Sequence, residues 1–60
     1  MATFKLEIEM ENAAFEPAPG EELSRILNAL AVRLAGMDGL ADEGSIMDVN
    51  GNSVGKWEVV

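Results

Sequence analysis

Sixty residues carry eleven Asp and Glu against four Lys and Arg, a net charge of −7 at pH 7, with no cysteine and no histidine. Disulfides, thiol chemistry and the commonest general base and metal ligand are thereby excluded, and so much negative charge argues against direct binding to nucleic acid or an anionic membrane. One domain, residues 1–60, is the ceiling, and a core this small wants a stabilising device, of which oligomerisation is the one left open.

Residues 3–11 alternate strictly. Phe4, Leu6, Ile8 and Met10 fall on one side, and Lys5, Glu7, Glu9 and Glu11 on the other, the period of two of a half-buried strand. The lysine and glutamates so near the start also leave no room for the apolar region of a signal peptide. The connection NAAFEPAPG holds Pro17 and Pro19; Pro19 suits the first turn of a helix, and Phe15 is placed to pack back over the helix start.

Residues 20–35 predict that helix. Leu23, Ile26, Leu27, Leu30 and Leu34 form one stripe. Glu21 and Glu22 sit in the first turn, Arg25 is spaced to pair with Glu21, and Gly36 is placed for a left-handed cap. A loop over residues 37–44 should tuck Leu40 inward. The closing SIMDVNGNSVGKWEVV reads as a hairpin around Asn50-Gly51-Asn52. A three-residue turn over 51–53 would oppose Met47 with Trp57, Val49 with Gly55, and Asp48 with Lys56. The expected fold is α+β: a two-layer β-α-β-β domain, with one helix on one face of a three-stranded antiparallel sheet in the order 1-3-2.

In that architecture the second face of the sheet carries charge. Glu7, Glu9 and Glu11 from the first strand lead it, with Asp48 and Glu58 in support. Residues two apart along a strand lie roughly 6.6 Å from each other, of the order of successive phosphates along a nucleic-acid strand. Such a row can imitate DNA towards a basic groove, although a polar face on an antiparallel sheet is also common solvation. No catalytic constellation is visible: Ser24, Ser45 and Ser53 have no histidine to activate them. Nor is there a metal or cofactor motif. Asp38, Asp42, Glu43 and Asp48 fail the calcium-loop spacing, because Leu40 and Val49 fall where ligands are needed.

With FKLEIEMENAAF at the start, one amphipathic helix, and DVNGNSVGKW near the end, the chain resembles the small acidic proteins encoded by bacteriophages and prophages. Anti-CRISPR and other anti-defence inhibitors are prominent among these. The resemblance implies a stoichiometric inhibitor without chemistry of its own, acting in the cytoplasm of a bacterial host on the basic surface of a nucleic-acid-binding protein such as a CRISPR effector. It carries over no individual residue roles; the acidic positions named above come from strand alternation alone. The alternative from another class is a small homodimeric assembly protein. It would use either the small-residue helix strip around Val32 or an unpaired sheet edge.

Overall fold

A computed structural model describes residues 2–37, 39 and 42–60. The alternating start forms strand β1, Phe4–Ile8, shorter at both ends than its sequence pattern. Its odd-numbered residues bond into the sheet: Thr3 and Val60 exchange backbone hydrogen bonds of 2.7 and 2.9 Å, and Glu9 N–H donates to Val54 O at 2.7 Å. A short 3-10 turn, Ala13–Phe15, follows and seats Phe15 at 1% exposure. The Asn12 side chain accepts from Ala14 N–H and starts that turn. Helix α1 runs Pro19–Ala35, with proline in its first turn and Glu21 and Glu22 beside it. Strands β2, Glu43–Met47, and β3, Ser53–Val59, complete the chain. The sheet is antiparallel throughout, ordered β1-β3-β2, with β3 central.

Trp57, on the middle strand and 1% exposed, centres a core that also holds Phe15, Ile26, Leu30, Ile46 and Val54. Its indole lies across Gly44, the residue directly opposite on β2, and stacks on Phe4 with ring centroids 5.6 Å apart. The indole Nε1 has no acceptor among the described residues.

The hairpin register differs from the sequence expectation by three residues. Gly44, not Met47, opposes Trp57; Ile46, not Val49, opposes Gly55; Ser45, not Asp48, opposes Lys56. An odd shift exchanges the two faces of a strand, so Ile46 is buried at 2% while Met47 and Val49 stand 58% and 61% exposed. The cause is the loop. Asp48 holds a wider turn, with its own N–H on Asn52 O at 2.9 Å, and Met47 pairs with Ser53. Val54 is left as a bulge without a β2 partner, turned into the core.

Three smaller expectations also change. Gly36 ends the helix in right-handed geometry, φ −84°, with its N–H on Val32 O and Arg33 O. Leu27 is 42% exposed, because the stripe that meets the sheet runs through Glu22, Ile26 and Leu30. Arg25 pairs with Glu22 rather than Glu21, at 2.7 Å. Leu40, expected inside, and Asp38 lie outside the described residues.

Helix α1 leans towards β2. Arg25 Nη2 donates to Met47 O at 3.4 Å and Arg33 Nη1 to Ser45 O at 3.2 Å. Both carbonyls face away from β3, so the helix covers the free edge of β2. The apolar row of β1 receives no such cover: Phe4 and Leu6 remain 43% and 37% exposed.

Candidate functional site

Cross-strand partners share a face, so the register assigns the second face of the sheet directly. One transverse row reads Lys5, Glu58, Glu43; the next reads Glu7, Lys56, Ser45. Lys5, Glu7, Glu43, Ser45 and Lys56 are exposed, and Glu58 is half-buried between its neighbours. Glu9 follows beyond the end of β1, exposed and tied to the ladder through its N–H on Val54 O. Because α1 packs against Ile46 and Trp57 on the opposite side, nothing described in the chain covers Glu7 or Glu9.

Of the five acids picked from the sequence, the sheet therefore brings three together: Glu7, Glu9 and Glu58. Glu11 is exposed but lies past the strand, outside its alternation. Asp48 is not on this face at all; it is 5% exposed inside the hairpin loop. Two lysines interleave with the acids, so the face is patterned rather than uniformly negative. Neither lysine closes an ion pair there among the described residues, which leaves the carboxylates open to cations from outside.

Sequence reasoning missed the two buried carboxylates. Asp48 Oδ1 accepts from the backbone N–H of Asn50 (2.9 Å) and Asn52 (2.8 Å), and Oδ2 from Asn12 Nδ2 (2.6 Å) and Asn52 Nδ2 (3.2 Å). Burial pushes this carboxyl up, and the four donors outweigh it, holding the group below the ordinary aspartate range. The signal was the spacing Asp48-x-Asn50-Gly51-Asn52, an Asx-type turn in which the first side chain collects the following N–H groups.

Glu22 receives Arg25 through both oxygens, Oε1 to Nε at 2.7 Å and Oε2 to Nη2 at 3.1 Å, and its Oε2 also accepts Val49 N–H at 2.8 Å. The Arg25 hydrogen bond, opposed by burial and helped by Val49, lowers the Glu22 carboxyl below the ordinary glutamate range. The same contact raises Arg25. Glu22 stands four residues before Ile26 and eight before Leu30, on the very stripe that meets the sheet. Both carboxylates hold loop to helix and hairpin; their lone pairs point at donors of this chain, not at solvent.

No helix among the described residues is long and apolar enough to cross a membrane. Compared with known proteins, the chain matches no family model, no curated protein and no solved structure.

Proposed function

We propose that this protein is a stoichiometric inhibitor that binds another protein through the open face of its sheet and performs no chemistry itself. The target class is a nucleic-acid-binding protein with a basic groove; a bacterial CRISPR effector, met in the host cytoplasm by a phage-encoded protein, is the member the sequence resemblance suggests. The observation that carries the reading is that Glu7 and Glu9 stand exposed, two residues apart, on a face the helix leaves uncovered. A strand repeat spaces residues two apart by roughly 6.6 Å, and Glu9, just past β1, stays tied to the ladder through its N–H on Val54 O. Glu58 supports them from β3, and Glu11 extends the acidic end along the chain. Lysine or arginine side chains of the groove would meet these carboxylates in place of phosphates, so the association should weaken steeply with salt.

Reversing Glu7→Lys and Glu9→Lys together turns that strip basic while touching no buried group. The circular dichroism of the variant should match the wild type, and affinity for the target should fall by at least about 100-fold. Capture from bacterial lysate on the two immobilised proteins, followed by mass spectrometry, reads this out. A nucleic-acid-processing complex retained by the wild type, released by added duplex DNA and absent from the variant is the expected pattern. Equal recovery on both columns would overturn the assignment of the face.

A further inference from the structure

The two edges of the sheet are treated differently. On β2 the outward carbonyls of Ser45 and Met47 are taken by Arg33 and Arg25 of the helix. On β1 the odd-numbered residues bond inward to β3, so the N–H and C=O groups of Phe4, Leu6 and Ile8 point out of the sheet. No proline or bulge interrupts that edge. Phe4 and Leu6 beside it are large apolar residues 43% and 37% exposed. An open edge of this kind is a template for another strand.

The sequence of β1, Phe4-Lys5-Leu6-Glu7-Ile8, is self-complementary about its middle. We infer that the chain forms a two-fold dimer in which β1 pairs antiparallel with β1 of a second copy, centred on Leu6. In that register Leu6 faces the partner's Leu6, Phe4 faces the partner's Ile8, and Lys5 faces the partner's Glu7, each unlike pair occurring twice. The hydrogen-bonding parity fits: the residues brought opposite one another at the bonded positions are Phe4, Leu6 and Ile8, whose backbone groups already point outward, giving about six N–H···O bonds.

Competing registers are penalised by charge. Moving the centre to Glu7 opposes Glu7 with its own copy, and moving it to Lys5 does the same for lysine. The Leu6-centred register alone opposes unlike charges at both positions. The product is one continuous antiparallel sheet of two copies with both helices on the same side. Phe4 and Leu6 then pack against the partner's Ile8 and Leu6, and the outer face doubles in width without being covered. The inference stands on the backbone edge and the Lys5–Glu7 pattern, independently of what the outer face binds.

Two single reversals test it. Lys5→Glu alone opposes acids at both seam pairs, and Glu7→Lys alone opposes lysines at both. Each should dimerise at least about tenfold more weakly than the wild type in sedimentation velocity, since like charges directly opposite are destabilising. An equimolar mixture of the two variants restores an unlike pair at both positions and should sediment as a heterodimer. A chain of this length is also accessible to chemical synthesis with an N-methyl group on the Leu6 amide. That change removes one outward N–H and no bond within the monomer, so it should abolish dimerisation while the circular dichroism of the fold persists. A wild-type chain that stays monomeric at millimolar concentration would overturn the inference. So would a dimer that survives both reversals and the N-methylation, since it would have to use another surface, such as the helix strip around Val32.

Discussion

Replacing Gly44 by alanine should leave the protein largely unfolded. A Cβ at this position would meet Nε1 of Trp57 and come within 2.5 Å of its Cε2 and 2.7 Å of its Cζ2, far inside van der Waals contact. These atoms belong to a rigid ring, not to the tip of a flexible chain, and the ring is buried among Phe15, Ile26, Leu30 and Ile46 with Phe4 stacked on it. Relief requires the indole to leave the core or β2 to part from β3. Evicting a buried tryptophan is comparable in effect to truncating it, about 3–5 kcal/mol. A domain of this size has only roughly 3–9 kcal/mol in total, from about 0.05–0.15 kcal/mol per residue. The loss is therefore of the same size as the whole stability. Thermal melts followed by circular dichroism should show no cooperative transition for Gly44→Ala, and tryptophan emission should be red-shifted as in denaturant. Gly20→Ala serves as the control. Its Cβ meets nothing within 4 Å, and in a helix first turn it should stabilise by about 0.5–1 kcal/mol. A Gly44→Ala protein that melts like the wild type would show that the indole does not lie across β2.

The second large effect belongs to Asp48. Its carboxylate is the shared acceptor of two backbone N–H groups in the hairpin loop and of the Asn12 and Asn52 side chains. Asn12 in turn starts the turn that seats Phe15, so one carboxylate links the hairpin loop to the segment that carries Phe15 into the core. Asp48→Ala removes the acceptor of four part-buried hydrogen bonds at once, each worth about 0.5–1.5 kcal/mol and more where the acceptor is charged. The melting midpoint should fall on the order of 10 °C or more. Asp48→Asn keeps one acceptor oxygen but turns an NH₂ group towards Asn12 and Asn52, and should also be clearly destabilised.

Acid supplies an independent signature. Asp48 and Glu22 both have folded pKa values below their unfolded ones, so the unfolded chain binds more protons than the folded chain as they titrate. Their contribution is complete above the unfolded values, about pH 4.5, and is lost as pH falls through the folded ones. Urea titrations should show wild-type stability falling below about pH 4.5, with a shallower fall in Asp48→Asn, which retains only the Glu22 component. Wild-type stability that stays level from about pH 6 to pH 3 would contradict the role given to these carboxylates.

The layout was legible where periodicity carried it. The alternation through Phe4–Ile8, the helical stripe around Ile26 and Leu30, the order β1-β3-β2 and the central Trp57 follow from hydrophobic spacing and short connections. The hairpin register did not, because a side chain decided it. Asp48 widened the loop and Val54 bulged inward, which moved every β2 residue by an odd step. The same event removed Asp48 from the candidate surface and put Ser45, a neutral residue, opposite Lys56. Glu22 does stand in the first turn of the helix as its position implied, but its burial was not legible, because it takes a bidentate arginine and one N–H to let a glutamate lie on a buried stripe. Glu7 and Glu9 kept their place because they depend only on the parity of β1, which Phe4, Leu6 and Ile8 fix.

Carbodiimide labelling of carboxylates, read by mass spectrometry on the free protein and on the complex captured from bacterial lysate, probes the open face most directly. Protection of Glu7 and Glu9 in the complex, with Glu16 and Glu21 labelled as in the free chain, is the predicted result. Equal labelling of Glu7 and Glu9 in both states would contradict it.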